Sequence, residues 1–256
     1  MRLLSKAQIL IAGLTRPVFP AIIAIFFGVS AYAGNLSSPL ADPVVIGPQV
    51  TADNTSYFYA GLSLGYAWGF SDEFGLRTTG APTNIGNLEV SGSFGGLRGG
   101  WRASVPASGN RDYSYGVELS YDLASIEDSA TRQFGSANVG ARSEITDIIG
   151  IRFRSGLTNR KRSTLYFGSI GYVNGNVKTA AGTTDGLSSN VTEKSDRRSG
   201  FLLSIGAEHQ LTDNWSLTGE YEYVQFDSKV IDFNSSLSTK STPTYGGLRF
   251  GLNYRF

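Results

Sequence analysis

The 256-residue chain has no cysteine, one histidine and one methionine. Without a thiol it can build no disulfide framework, thiolate metal site, cysteine nucleophile or lipid-modified N-terminal cysteine. A lone histidine forms no metal cluster, so neither a metal nor any other cofactor is expected. Past residue 56 no stretch of twelve or more residues carries a helical period. What the chain does have is 32 glycines, 13 tyrosines and 15 phenylalanines. Glycine costs about 1 kcal/mol inside a helix while aromatics suit strands, so the composition points to an all-β fold.

The first 33 residues are of another kind. Arg2, Lys6 and Arg16 stand without an acid, "AIIAIFFGVS" (21–30) is apolar, and "AYA" precedes Gly34. That order is the pattern of a Sec signal peptide, and its apolar core is shorter than the roughly 20 residues of a membrane-spanning helix. Its removal takes three of 22 basic residues and none of the 21 acids, leaving 19 against 21. A slightly acidic chain offers no footprint for nucleic acid. Residues 34–55, proline-containing and without period, read as a linker, and 56–256 as the folded domain.

The chain closes on "GGLRFGLNYRF", in which Gly246, Leu248, Phe250, Leu252, Tyr254 and Phe256 alternate with Gly247, Arg249, Gly251, Asn253 and Arg255. Such alternation marks a strand with two unlike faces. Seven more segments share it, at 57–69, 93–104, 112–122, 144–155, 163–174, 200–211 and 214–226, with the terminal strand at 245–256. Each is long enough to cross a bilayer as a tilted strand, which takes about 9 to 11 residues. The connections alternate: 70–92, 123–143, 175–199 and 227–244 are long, while 105–111, 156–162 and 212–213 are short. Long connections therefore gather at one rim, the signature of an eight-stranded antiparallel up-and-down transmembrane β-barrel. The long ones, rich in Gly, Ser, Thr, Asn and charge, are expected to be solvated loops.

Within the strands one parity carries Phe58, Leu64, Trp68, Leu97, Leu119, Leu203 and Leu217 among others. The opposite parity carries Arg98, Arg102, Glu118, Asp122, Arg152, Arg154, Glu208, Glu220, Glu222, Arg249 and Arg255. A soluble barrel would put the apolar set inside; a membrane barrel puts it toward lipid and the charges in the lumen. Aromatics near strand ends (Trp68, Trp101, Tyr113, Tyr172, Trp215, Tyr254), scarce strand lysine and many small lumen-parity residues favour the membrane arrangement. Two places misfit: Leu165 and Phe167 oppose Tyr166, Ile170 and Tyr172, and Asp147 falls on the lipid parity.

Together with the leader and linker, "YFYAGLSLGYAWG", "LSIGAEHQLTDNWSLTGEYEY" and the terminal alternating strand resemble the OmpA-like, opacity-type outer-membrane β-barrel proteins, including the porin-family surface antigens of alphaproteobacteria. The resemblance covers residues 56–256. It implies a place in the Gram-negative outer membrane among lipid and lipopolysaccharide. It also implies that Leu252, Tyr254 and Phe256 form a signal read by the barrel assembly machinery; the bland alternative is that Phe256 merely packs. A C-terminal peptidoglycan-binding domain like that of full-length OmpA proteins is not expected.

Enzymes occur among such barrels, and those that modify lipid A or cleave peptides need a histidine beside a serine or carboxylate. Here His209 falls on the lipid parity near the short-turn rim, and Glu220 and Glu222 lie among arginines, so no enzymatic activity is expected. Eight strands leave a lumen just wide enough for side chains. The expected function is a structural or surface-interaction protein with an extracellular ligand at its long loops, and the alternative is a narrow or gated pore for ions or small solutes.

Overall fold

Antiparallel pairing between successive segments dominates the structure, and the last strand returns to the first. The computed structural model describes residues 55–70, 72–77, 83–134, 137–184, 189–234 and 237–256. The proposed signal peptide and residues 34–54 of the linker lie outside them. The strands are β1 (Thr55–Gly69), β2 (Asp72–Arg77), β3 (Thr83–Leu88), β4 (Ser91–Ala107), β5 (Arg111–Phe134), β6 (Ala137–Thr158), β7 (Thr164–Thr184), β8 (Ser189–Gln210), β9 (Trp215–Phe226), β10 (Lys229–Asn234), β11 (Leu237–Ser241) and β12 (Thr244–Arg255). Thr55 already belongs to β1, one residue ahead of the expected domain boundary.

Eight of these close a barrel in the order β1-β4-β5-β6-β7-β8-β9-β12, each expected strand falling on one of them. The closing ladder sets Leu62 beside Leu252 and Gly61 beside Asn253. Short connections share one rim: Gly109 and Asn110 take positive φ (72° and 58°) in the β4–β5 turn, and Arg162 does so before β7. Positive φ is cheap for glycine and tolerated by asparagine, which suits both to reversing a chain.

The long connections differ from the solvated loops expected of them. Residues 123–143 and 175–199 largely continue the barrel strands, so β5, β6, β7 and β8 stand as a tall wall beyond the other four. Their polar composition supports strands because cross-strand partners are matched. Arg142 pairs with Glu127 and Glu144, Arg197 reaches Asp147 at 2.9 Å, and Asn176 accepts from Ser195 at 2.8 Å and donates to Thr146 at 3.0 Å. The connections 70–92 and 227–244 hold the hairpins β2–β3 and β10–β11, which join in a second sheet of order β10-β11-β2-β3. Lys229 to Asp196 (2.9 Å) and Lys194 to the Asp232 carbonyl bind this sheet to β8. The amide of Glu89, which follows β3, donates to Asp128 of β5 at 2.6 Å.

The outward face is apolar over the barrel. Phe58, Leu62, Leu64, Ile170 and Ile205 are all more than 60% exposed. Aromatics border this belt at both ends, with Trp101, Tyr113, Trp215 and Tyr254 toward the short turns and Trp68 and Tyr172 toward the tall rim. Both misfits have a local cause. A register shift at Thr146 makes Ile145 and Ile148 face inward together and turns Asp147 outward against Arg197. Leu165 and Phe167 simply face the lumen, where Phe167 lies under the Arg154 guanidinium at 4.1 Å.

The core lies inside the barrel. Phe94, Ile126, Ile145, Ile148, Val173, Val177, Leu202, Val224, Phe226 and Tyr245 are buried there with Ala67 and Val90. The charged lumen that the alternation suggested fills only part of the interior: the half toward the tall rim is an apolar storey. Pairing fixes its level, since Asp122 stands beside Ile148 while Ile126 and Ile145 pair further toward the tall rim.

Candidate functional site: the barrel interior

Beneath the apolar storey lies a layer of charge. Inward positions of six strands supply Arg98, Arg102, Glu118, Asp122, Arg152, Arg154, Glu208, Glu220, Glu222 and Arg249, all buried. Five arginines face five carboxylates, so the layer is formally neutral. Arg249 donates to Asp122 at 2.6 and 3.1 Å and to Glu222 at 2.9 and 3.2 Å. Arg154 contacts Glu118 and Glu220, each at 3.3 Å, and Arg152 contacts Glu220 at 3.3 Å. Arg98 reaches Glu220 at 3.5 Å and donates to Asn253 at 2.8 Å. Buried charges are tolerable when paired and hydrogen-bonded, and neutral donors add to the carboxylate shells here, while Nη1 and Nη2 of Arg98 and Nε and Nη1 of Arg154 are buried without a hydrogen-bond acceptor among the described residues. Tyr59 donates to Glu118 at 2.7 Å and Ser204 to Glu220 at 3.2 Å.

Aromatic faces cover the guanidiniums where carboxylates do not. Phe94 lies 4.6 Å from the Arg249 guanidinium carbon, and Tyr59 lies 5.0 Å from that of Arg102. Phe94 therefore belongs to both storeys, apolar on one side and cation-facing on the other.

Arg255 is not part of this layer. It is half-buried at the short-turn mouth, stacked over Tyr57 at 4.9 Å, with no carboxylate within ion-pair distance among the described residues. Position explains this: Arg255 is the last inward residue of β12, level with the turns. Its neighbourhood is a vestibule of about 150 Å³ whose lining includes Tyr57, Arg102, Glu208, Asn214 and Ser216. Arg102 and Glu208 form its floor as a bidentate pair at 2.6 and 3.0 Å.

The chemical candidates fall apart in space. His209 faces outward and its Nδ1 lies 2.9 Å from the Thr164 hydroxyl. Glu220 and Glu222 are held by arginines instead of facing an open cleft. Among the described residues no group of three His, Asp or Glu side chains could hold a metal. Leu252, Tyr254 and Phe256 face outward beside the short-turn rim.

Two features escaped sequence reasoning. The apolar storey was one; its signal was the inward parity of β7 through Val173 and Val177, hidden where 175–199 reads as a loop. Arg198 was the other, buried in the tall wall with one guanidinium nitrogen 3.2 Å from the Ser241 carbonyl. Continuing the β8 alternation from Leu202 through Gly200 would have placed it inside.

Comparison with known proteins now adds to this geometry. Residues 21–256 match the family model described as an outer membrane protein beta-barrel domain. The 31 kDa outer-membrane immunogenic proteins of Brucella melitensis biotype 1 and Brucella suis biovar 1 are each 30% identical over 254 residues, covering 94% of this chain and all of theirs. Among solved structures, the outer membrane protein OprG of Pseudomonas aeruginosa aligns with a TM-score of 0.43 and 10% identity, over 79% of this chain and 97% of that one.

Proposed function

The chain belongs to the outer membrane protein β-barrel family and resides in the outer membrane, and on that premise we propose that it is a closed surface-interaction barrel without enzymatic activity. Outer-membrane barrels keep short turns in the periplasm and long connections outside, which orients the tall wall and second sheet toward the exterior. β8 runs eleven residues past its last pairing with β9 at Gly200, about 35 Å along the strand at roughly 3.3 Å per residue. A rigid projection of this kind suits the recognition of an extracellular ligand.

The observation that carries this reading is the apolar storey above a neutral ion-pair layer. Together they fill the lumen, and a path for ions would have to wet Phe226, Val224 and Ile126, each at most 1% exposed. The narrow-pore alternative requires that storey to open. Planar-bilayer recording on the purified full chain tests it: no stable steps are expected, and sustained nanosiemens-scale steps would overturn the closed reading.

Contacts with lipopolysaccharide and lipid at the outward belt, and with the assembly machinery through Leu252, Tyr254 and Phe256, belong to the same proposal. The outward apolar face and its bordering aromatics support the first. The exposure of the terminal stripe supports the second.

A further inference from the structure

The short-turn mouth has chemistry that the closed-barrel function does not use. Its vestibule is blind, since the Arg102–Glu208 floor leads into the ion-pair layer and then the apolar storey. A ligand can therefore enter only from the periplasm. At about 150 Å³ the space is smaller than the roughly 300–1,000 Å³ of ordinary small-molecule sites, which fits one small ring of a larger molecule.

The lining is rich in neutral donors and acceptors. Ser104, Ser114, Thr158, Gln210, Asn214 and Ser216 bring hydroxyl and amide groups to one small space. Tyr57 adds an aromatic ring, over which the Arg255 guanidinium stacks at 4.9 Å. On the same lip, Asn214 exchanges two hydrogen bonds with the Arg255 backbone, at 2.8 and 2.9 Å, and Asp213 and Arg255 both line the vestibule. Both charges lack an ion-pair partner among the described residues, whereas Arg102 is taken by Glu208 and Arg162 by Asp112 at 3.4 Å.

These observations discriminate between ligand classes. A bare phosphate would need several cations free of carboxylate partners, and of the described lining cations only Arg255 has no ion pair. An extended peptide would need a sheet edge or an apolar subsite, and among the described lining residues Leu165 and Trp215 alone are large aliphatic or indole side chains. A polyhydroxylated ring satisfies hydroxyls and amides in both directions, and a carboxylate on it can meet the planar fork of Arg255. We propose that the periplasmic vestibule binds one acidic saccharide unit, its carboxylate on Arg255 and its hydroxyls on Asp213, Asn214 and the neighbouring serines. The source is either a free acidic sugar or a unit of a cell-wall glycan.

Titration calorimetry on the full chain in nanodiscs tests this, with N-acetylmuramic acid, N-acetylglucosamine as the neutral counterpart, and a soluble cell-wall glycan fragment as probes. The acidic sugar should bind at least ten-fold more tightly than the neutral one. Arg255→Gln should erase that difference, and Asp213→Asn, in an exposed turn, should weaken both sugars while leaving heat-modifiable mobility unchanged. Tighter binding of the glycan fragment than of the monosaccharide assigns the polymer as the source; equal binding assigns the free sugar. No heat from any probe, or binding that neither variant alters, would overturn the proposal.

Discussion

Arg249 of β12 and Asp122 of β5 meet across the barrel interior through two parallel hydrogen bonds, and the same guanidinium also holds Glu222 of β9. One cation thus ties three strands that are distant in the chain. Arg249→Ala would leave two buried carboxylates short of a partner, an expected loss of about 3–5 kcal/mol. The double change Arg249→Met with Asp122→Leu removes one charge of each sign and should recover part of the loss. Urea unfolding in lipid vesicles measures both, and equal midpoints for wild type and Arg249→Ala would contradict the arrangement.

Gly96 is required by close approach of two backbones. A Cβ there would fall 1.9 Å from the Tyr121 carbonyl oxygen and 2.7 Å from the Asp122 Cα. Gly96→Ala must push β4 and β5 apart and is expected to cost at least about 1–3 kcal/mol. Gly99→Ala on the same strand is the control, because its Cβ would meet only the Tyr59 carbonyl oxygen, at 3.5 Å. Thermal loss of the fast-migrating folded band should come earlier for the first variant and be nearly unchanged for the second.

Phe256 separates assembly from stability. Its side chain is 74% exposed and touches the Tyr254 ring at 5.3 Å, so truncation removes little packing. If the stripe is an assembly signal, Phe256→Ala should refold in detergent like the wild type yet reach the outer membrane at a several-fold lower level. Equal levels in purified outer membranes would leave Phe256 as a packing residue.

The β5–β6 hairpin beyond the barrel can be tested by register. Ser129 stands opposite Arg142, and the absence of native cysteine removes competing thiols. A short bifunctional thiol reagent should join Ser129→Cys to Arg142→Cys rapidly in intact cells. A pair offset by six residues, Ser129→Cys with Ile148→Cys, should not be joined.

The eight strands and the sorting of long and short connections were legible because lipid imposes strict alternation on every strand that crosses it. Beyond the bilayer that constraint lapses. Strands 123–134 and 175–184 face water outside and a mixed interior inside, so Asp128, Ser129, Asn176 and Lys178 read as loop residues although cross-strand pairing holds them in a sheet. The apolar storey was concealed for the same reason, and the shift at Thr146 broke the parity that would have exposed Ile145 and Ile148 as one inward pair. Charged members of the lumen layer stood out because lysine-poor, aromatic-rich strands leave few other places for them. Arg255 shares their parity but not their depth, and depth along the barrel axis is set by register with β1, where its partner is Tyr59.

Seven of the eight barrel ladders join strands that follow one another around the ring in chain order, and only β1 with β12 brings the two ends of the domain together. Contacts between distant segments form late because the intervening chain must first be ordered. Closure of the β1–β12 ladder, where Gly61 stands beside Asn253, is therefore expected late in folding, after the hairpins between neighbouring strands. The tall hairpins beyond the barrel carry matched pairs, Glu127 with Arg142 and Asp147 with Arg197, so each of these charges is neutralised within the wall that it helps to build.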